Sequence, residues 1–489
     1  MAYIIYDFET TGRSARFDQI LQAGFIVYDK QFNSKSKLNT KSRLNSDLVP
    51  SIKALRVNKL RMSDILSHKK TYYEMVLEIR DFLREFKNSF YLGFNSINFD
   101  EEFFRQAFWE HFFFPYLTNT EGNFRGDLLN FATMVHAFRS NQINVEKNDD
   151  GKLTFKLESL ARANNFSSYN SHEAIADVES TMKLMELLTK KNRDFFNIFI
   201  ENSRAQNVEK KISKEKIFTY HNYLFSSHRI YLVKNLMNHP VYKNQSIGFD
   251  LKYNSQEIID LDENELREIY KNKSFFRKIK LNKQPTILNE SFSRNISPYS
   301  KLTDDEILLK SKQLEDTNFL DKLKNILEKE AIDLQENKSQ EETFEEDTIY
   351  SQNLNYHDSM MMINFHKEKW DKKWFFAEKF KDPRLRFFAA KHIYRNFPEE
   401  LPKNVFNYLH QKISQRLLSL KKENFLTLPA AMEEADSLSL EIEEGLCENN
   451  LKDQLDEYNI YINFLNDYYG DRTARPIEFD SSLADRLFG

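Results

Sequence analysis

The chain begins with an apolar run that leads directly into two acidic residues. Residues 3–6 are all β-forming, and Asp7, Phe8 and Glu9 follow them just before a polar turn. This pattern predicts a buried strand at the start of the chain. Because side chains alternate along a strand, Asp7 and Glu9 share one face, while Phe8 points the opposite way into packing.

This carboxylate pair has two interpretations. Adjacent carboxylates repel each other unless cations neutralise them, and Mg²⁺ needs only a few carboxylate oxygens together with waters and a substrate phosphate. The pair therefore predicts a metal site for a phosphodiester substrate. A solvated strand end is the alternative, because 29% of the residues are charged.

A third acidic residue, Asp100, lies where a helix is predicted to begin. An apolar run over residues 90–94 precedes it, and a helical pattern with Phe103, Phe104 and Phe108 follows it. Aspartate is a favoured helix N-cap, so a purely capping role for Asp100 remains open at this point.

The next polar segment combines an imidazole with another carboxylate. Asn170 and Glu173 have the spacing of a capping box, which places His172 at a helix start and Asp177 inside the first turns. His172 and Asp177 converge only if His172 projects from the start of that helix. An exposed polar role for His172 is the alternative. The apolar stripe of this helix is Val178, Met182, Met185 and Leu188.

Taken together, these segments resemble the DEDDh branch of the DnaQ-like 3′ to 5′ exonucleases. The matching motifs are Asp7-Phe8-Glu9, Asn98-Phe99-Asp100 and residues 172–177. The resemblance narrows to the bacterial exonuclease I family through further segments that span nearly the whole chain. These segments are residues 125–130, 157–164, 280–285 and 394–398.

The resemblance implies a ribonuclease H-like fold and processive hydrolysis of single-stranded DNA, from its 3′ end, to 5′-mononucleotides. It also implies a role in DNA repair and recombination. Asp7, Glu9, Asp100 and Asp177 are then the expected ligands of two Mg²⁺ ions, or of Mn²⁺ as a substitute. His172 is the expected general base for the attacking water.

A single strand is usually held by basic groups along its phosphates and by aromatic faces under its bases. The candidate substrate contacts are Glu9, Lys156, Arg105 and Tyr116. By the resemblance, Lys156 stands at a substrate-contacting position that is usually Arg, and this change keeps the charge but loses the bidentate fork. The alternative for each basic or aromatic candidate is a surface charge or a packed ring.

The resemblance also implies a protein partner. Family members bind the acidic, Phe-ended C-terminal tail of single-stranded DNA-binding protein in a basic, apolar pocket. Arg139 falls where one pocket arginine lies. Ile198 stands where a tyrosine is expected, which leaves the details of this pocket open.

A chain of 489 residues exceeds what one hydrophobic core usually supports. We expect an α/β ribonuclease H-like exonuclease domain over residues 1–191, an SH3-like α+β domain over 192–345 and a helical C-terminal domain over 346–489. The polar stretch 335–347 is predicted to be an exposed linker. Strands are predicted at 24–28, 230–233, 246–251 and 276–281, and helices at 374–380, 385–397, 405–420 and 451–469.

Bulk properties restrict the remaining possibilities. A net charge of −4 means that DNA contacts have to come from local basic clusters rather than from overall attraction. The single cysteine, Cys447, excludes an internal disulfide framework. The chain has no run of 18 apolar residues and no basic region at its start, so we expect a cytoplasmic protein without membrane contact. A monomer is a separate expectation, for which the sequence carries no direct signal.

Two other functions compete with this interpretation. A polymerase proofreading subunit or an RNA-trimming exonuclease would use the same chemistry, but these proteins are usually much shorter. An inactive relative that only binds nucleic acid would normally lack at least one metal ligand, whereas all five active-site positions are filled here. Metal preference, processivity and discrimination against RNA remain open.

Overall fold

A computed structural model of the protein describes residues 1–166, 173–272, 275–339, 344–351, 354–446, 451–471, 475–477 and 479–489. The first part of the chain alternates strands with helices. Its strands are β1 (Tyr3–Thr10), β2 (Ile20–Tyr28), β3 (Ser34–Lys41), β4 (Phe90–Gly93), β5 (Phe124–Asp127), β6 (Glu146–Lys147) and β7 (Leu153–Thr154). Its helices are α1 (Ile52–Asn58), α2 (Met62–Ser67), α3 (Tyr72–Leu83), α4 (Asp100–Glu110), α5 (Leu128–Phe138), α6 (Leu157–Ala163), α7 (Ala174–Lys191), α8 (Arg193–Asn202) and α9 (Ala205–Glu215).

Five of these strands form one mixed sheet in the order β3-β2-β1-β4-β5. Strand β1 lies in the middle, antiparallel to β2 and parallel to β4. Tyr3 and Ile5 pack into a core with α5, α7 and α8, whereas Ile4, Tyr6 and Phe8 pack into a core with α3 and α4. Both faces of the central strand are therefore covered by helices, as expected for an α/β layer.

A second sheet follows, in the order β11-β10-β9-β8-β12, and its neighbouring strands are antiparallel. Its strands are β8 (Ile217–Leu224), β9 (Ser227–Asn238), β10 (Gln245–Asp250), β11 (Phe276–Lys280) and β12 (Thr286–Asn289). The helices of this part are α10 (Gln256–Ile259), α11 (Glu263–Asn272), α12 (Ser291–Arg294), α13 (Asp304–Gln313) and α14 (Thr317–Ser339).

The remainder of the described chain is helical, which confirms the predicted succession of an α/β part, an α+β part and a helical part. The helices are α15 (Tyr356–Lys367), α16 (Trp370–Ala377), α17 (Pro383–Asn396), α18 (Lys403–Leu417), α19 (Leu428–Glu443), α20 (Leu451–Gly470) and α21 (Leu483–Phe488). Within the described ranges, no helix combines the length and apolar character needed to cross a lipid bilayer. The domain boundaries near 191 and 345 stay a prediction.

The helical part shares its core with a segment of the first part. Three buried tyrosines on one face of α20, Tyr458, Tyr461 and Tyr469, donate hydrogen bonds to backbone carbonyls of the segment before α1. The acceptors are the alternate residues Pro50, Leu48 and Ser46. An extended segment presents every second carbonyl to the same side, so it matches a tyrosine face with helical spacing.

The expectation of an exposed linker over 335–347 is wrong for part of this segment. Helix α14 continues to Ser339, and Glu346 lies in a short 3-10 helix with only 1% of its surface exposed. The Glu346 carboxylate accepts hydrogen bonds from Lys391 Nζ at 2.7 Å and from Arg416 Nη1 at 3.0 Å. The acidic composition of this segment therefore provides a partner for buried basic residues of the helical part.

Two histidines are buried where the first part meets the helical part. The ring centroids of His111 and His392 are 4.4 Å apart, and His392 Nε2 donates to the Glu110 carbonyl oxygen at 2.8 Å. Burial lowers the pKa of His111 to about 3 and holds the pKa of His392 well below its ordinary value. Both rings are therefore neutral in the folded protein at neutral pH.

Candidate metal and nuclease site

Strand β1 presents Asp7 and Glu9 on the sheet face that carries Tyr3 and Ile5, as the alternation of side chains predicts. The apolar residues of this face pack against α5, α7 and α8, but the face becomes acidic where the strand ends. Glu9 is 7% exposed, so its carboxylate lies largely out of solvent. Two carboxylates are thus fixed on rigid backbone beside helix α7.

Helix α7 brings a third carboxylate to this face because a glycine allows close approach. Gly24 on β2 pairs with Asp7 on β1, and a Cβ on Gly24 would lie 2.8 Å from the Ala174 carbonyl carbon. Only a residue without a side chain lets the first turn of α7 lie this close to the sheet. Asp177 in that turn thereby reaches the acidic end of β1.

Asp7, Glu9 and Asp177 form one compact group. Each of the three offers a carboxylate oxygen, and these oxygens all lie within 4.8 Å of one another. Among the residues that the structure describes, these three have side-chain donors close enough together to hold a metal ion. Clusters of carboxylate oxygens suit hard divalent cations.

Asp100 approaches the same strand from the opposite side. It is the first residue of α4, and its Oδ1 accepts a hydrogen bond from the Phe8 backbone N–H at 3.1 Å. Strand β4 pairs with β1 only as far as Ile5, which leaves the edge of β1 beyond that point open to this carboxylate. The N-cap of α4 is Phe99, so the alternative of a purely capping Asp100 is wrong.

The loop before Asp100 is held by a residue to which the sequence motifs assign no role. Asp127 ends β5 and caps α5, and its carboxylate accepts hydrogen bonds from the backbone N–H groups of Asn95 at 2.8 Å and Ile97 at 3.2 Å. Burial raises the pKa of Asp127 to about 6, although these hydrogen bonds oppose the shift. In the sequence, Asp127 is recognisable only as part of the segment 125–130 that matches the family, which does not indicate this supporting role.

The electrostatics of the site favour cations. Burial, followed by the charges of Asp100, Asp177 and Glu9, raises the pKa of Asp7 well above its usual range. Burial and then Asp177 raise the pKa of Glu9 to about 7, and burial raises the pKa of Asp100 well above its usual range. Bound divalent cations would remove this mutual repulsion, so the donor set fits such ions.

The predicted general base, His172, lies outside the described residues. The description resumes at Glu173, the N-cap of α7, whose carbonyl accepts a hydrogen bond from the Asp177 N–H at 3.1 Å. His172 is therefore next in sequence to the helix that carries Asp177. Its role stays a prediction.

Two clefts adjoin the acidic group. One, with a volume of about 580 Å³, is lined by Asp7, Asp177, Lys156 and Tyr223 among others. A second, of about 740 Å³, is lined by Glu9 together with residues of the loop between α18 and α19. Lys156 is exposed on the wall of the first cleft, so it can meet a phosphate there.

The structure places Arg105 in the interior. Arg105 is 6% exposed, and its Nη2 lies 3.0 Å from Glu101 Oε1. Its guanidinium stands over the ring of Tyr116, with 5.2 Å between the guanidinium carbon and the ring centroid. A buried, paired arginine is not available to a phosphate, so the expectation of a substrate contact at Arg105 is not supported. The Tyr116 ring packs on this guanidinium.

Arg139 is engaged within the chain. Its Nη1 donates to Asp194 Oδ1 at 2.9 Å and its Nη2 to Asp194 Oδ2 at 2.5 Å, while the guanidinium lies over the Phe195 ring. Ile198 packs at the edge of the hydrophobic core that contains Phe195. The basic group expected to bind a partner thus already holds an acidic residue.

Comparison with known proteins agrees with this geometry. Residues 4–185 match the family described as Exonuclease. In its fold and its acidic cluster, the first part of the chain is therefore similar to an exonuclease domain. A domain of this family implies dependence on a divalent metal.

The curated sequence relatives and several structural neighbours are exonuclease I proteins. Exodeoxyribonuclease I of Buchnera aphidicola subsp. Schizaphis graminum is 31% identical over 216 residues, covering 44% of this chain and 45% of that protein. The Escherichia coli K12 protein of the same name is 27% identical over 272 residues, covering 54% and 57%. The matched region thus spans about half the length of these curated relatives.

The likeness in fold extends over 95% of the chain. Escherichia coli exonuclease I in complex with a dA16 oligonucleotide superimposes with a TM-score of 0.79 at 20% identity, over 95% of this chain and 99% of that one. Exonuclease I from Methylocaldum szegediense gives a TM-score of 0.82 at 19% identity over the same shares. The chain has the exonuclease I fold, and the resemblance inferred from its motifs is confirmed.

Proposed function

We propose that this chain is a 3′ to 5′ exonuclease that degrades single-stranded DNA processively to 5′-mononucleotides, in DNA repair and recombination. The observation that carries the proposal is that carboxylate oxygens of Asp7, Glu9 and Asp177 lie within 4.8 Å of one another. Asp100 accepts a hydrogen bond from the backbone of the strand that carries Asp7 and Glu9. These residues come from three separate segments, and no packing requirement explains why buried and half-buried carboxylates should meet.

In this proposal, the four carboxylates hold two Mg²⁺ ions, or Mn²⁺ in their place. When bound, the ions would supply Lewis acidity and charge stabilisation for phosphodiester hydrolysis. His172 takes a proton from the water that attacks the terminal phosphorus. The bond between phosphorus and the 3′ oxygen of the preceding nucleotide then breaks, that oxygen gains a proton, and the terminal nucleotide leaves with a 5′ phosphate.

The substrate assignment is supported by the first cleft and by the relatives. Lys156 offers a positive charge on the same cleft wall as Asp7 and Asp177. Solved neighbours of the same fold are Escherichia coli exonuclease I with dA16 and with dT13 oligonucleotides. A single strand with its 3′ end at the acids and a phosphate near Lys156 fits this arrangement.

We propose the C-terminal tail of single-stranded DNA-binding protein as a partner of a monomeric enzyme. A further neighbour in fold is an SSB/exonuclease I structure. Binding of an acidic tail at Arg139 requires the tail carboxylate to replace Asp194, which now occupies the guanidinium. The pocket of this chain is therefore expected to bind the tail more weakly than an open arginine would.

One experiment separates the candidate functions. End-labelled single-stranded DNA, duplex DNA and RNA are each incubated with the protein and Mg²⁺, and the products are resolved over time. We expect mononucleotide release from the 3′ end of single-stranded DNA, and its abolition in Asp7→Ala. Faster trimming of RNA or of mismatched duplex ends would contradict the proposal and favour the rival exonucleases.

The role of His172 has its own test. His172→Ala should lower turnover by about 10²- to 10⁴-fold while leaving the affinity for the oligonucleotide nearly unchanged, because a general base acts on the reaction rather than on binding. Glu173→Ala at the neighbouring position is the matched control. Equal losses of turnover and affinity in His172→Ala would mean that His172 supports the structure instead.

A further inference from the structure

The hairpin between β8 and β9 carries an unusual residue at its tip. Leu224 pairs with Ser227, so the turn consists of Phe225 and Ser226, and both have positive φ angles of 51° and 57°. Two-residue turns of this kind favour Asn-Gly, because bulky side chains rarely adopt positive φ. The first turn position nevertheless carries the bulky ring of Phe225, with 92% of the residue's surface exposed. No packing compensates for the backbone conformation, which is a pattern typical of functional positions.

This tip lies at the first cleft. Tyr223 and Ser226, the residues on either side of the pair Leu224 and Phe225, line the cleft together with Asp7, Asp177 and Lys156. The Tyr223 hydroxyl donates a hydrogen bond to the Leu153 carbonyl oxygen at 2.8 Å, which ties the hairpin to β7 just before Lys156. Phe225 is therefore held beside the cleft wall that carries a basic group.

A second contact close to the tip also fixes the hairpin to the first part of the chain. His228 on β9 lies opposite Tyr223 and is hydrogen-bonded to His136 of α5 at 2.9 Å and to His221 of β8 at 3.0 Å. The aromatic ring of Phe155 packs against both His136 and His228. These contacts join two parts of the chain, so the hairpin has a defined position beside the cleft.

We propose that Phe225 is a stacking platform for a nucleobase of the single-stranded DNA that enters this cleft. The inference rests on the proposed function and adds a substrate contact from the second sheet. An exposed ring offers a flat apolar face, and base stacking on such a face tolerates any sequence. Lys156 supplies a charge for a phosphate of the same strand.

The test removes the ring without disturbing the turn. Phe225→Asn introduces a residue that tolerates positive φ, so the variant should unfold at the same temperature as the wild type or higher. Its affinity for a fluorescein-labelled oligothymidylate, measured by anisotropy in EDTA, should fall about 5- to 100-fold. Phe225→Tyr should bind like the wild type. Tyr408→Ala, which removes an exposed ring on α18, is the control and should also bind like the wild type.

A second readout identifies the contact as stacking. An oligonucleotide in which the bases are replaced by abasic residues should bind the wild type and Phe225→Asn equally. The inference is overturned if Phe225→Asn binds oligothymidylate as the wild type does, or if Tyr408→Ala weakens binding as much. These outcomes differ from a failure of the proposed function, in which the wild type neither binds nor degrades the strand.

Discussion

Replacing Gly24 with alanine should damage the acidic site without touching any acidic residue. The new Cβ would lie 2.8 Å from the Ala174 carbonyl carbon and 2.9 Å from the Ile175 nitrogen. Carbon atoms in contact prefer about 3.5–4.0 Å, so the first turn of α7 has to retreat by about 0.7 Å. Both neighbours are backbone atoms and cannot rotate away. Asp177 moves with that turn, while Asp7 and Glu9 stay on the sheet.

The size of the effect follows from this displacement. Overpacking of a close contact costs about 1–3 kcal/mol of the free energy of unfolding. A misplacement approaching 1 Å lowers catalysis by about 100-fold, so we expect kcat/KM for single-stranded DNA to fall by about 10- to 100-fold in Gly24→Ala. The affinity for Mn²⁺ should fall as well, because one of the three converging carboxylates has shifted.

The assay combines three measurements on the folded variant: release of labelled mononucleotides, calorimetric titration with Mn²⁺, and unfolding in urea. Gly470→Ala is the matched control, because a Cβ at the end of α20 would meet no atom within 4 Å. The control should retain wild-type values in all three. If folded Gly24→Ala retained the wild-type kcat/KM and Mn²⁺ affinity, close packing of α7 on β2 would not be what positions Asp177.

Three further outcomes are expected. Glu346→Gln leaves its two basic partners buried without their carboxylate, so it should lower the free energy of unfolding by about 3–5 kcal/mol in urea titrations. Glu345→Gln, the control at a more exposed ion pair, should change the free energy of unfolding by less than about 1 kcal/mol. Similar values for the two variants would refute the role of Glu346 as a buried ion-pair partner. Since His111 and His392 are neutral when folded and take up protons when unfolded, their contribution to stability is complete above pH 6.5 and is lost as the pH falls below it, by about 1.4 kcal/mol per group and pH unit. The difference in stability between the wild type and His392→Gln should therefore shrink on acidification, and a constant difference would contradict this. Asp194→Asn should strengthen binding of an acidic, Phe-ended peptide, measured by calorimetry, and unchanged binding would exclude the pocket proposed here.

Much of the acidic site could be predicted because its signals are local. The alternation of β1 alone places Asp7 and Glu9 on one face, and the apolar stripe of α7 orients that helix on the sheet. The helical start at Asp100 was likewise visible in the pattern that follows it. In each case, neighbouring residues set the direction of the side chain.

Contacts between distant segments were not predictable in this way. Nothing near Arg105 in the sequence shows that Glu101 pairs with it in the interior, or that Asp194 engages Arg139. Glu346 belongs to an acidic stretch whose composition is typical of an exposed linker, yet it is buried. The fate of a charged side chain depends on which opposite charge the fold brings within reach, and composition carries no information on that pairing.

The amino-acid order was thus sufficient for the succession of sheets and helices and for the face on which each acidic residue stands, because backbone periodicity acts over a few neighbouring residues. The meeting of Asp7, Glu9 and Asp177, and the docking of the β8–β9 hairpin beside them, arise from long-range packing. The close approach of α7 at Gly24 is one such contact, and it depends on the shapes of two elements that lie 150 residues apart in the chain.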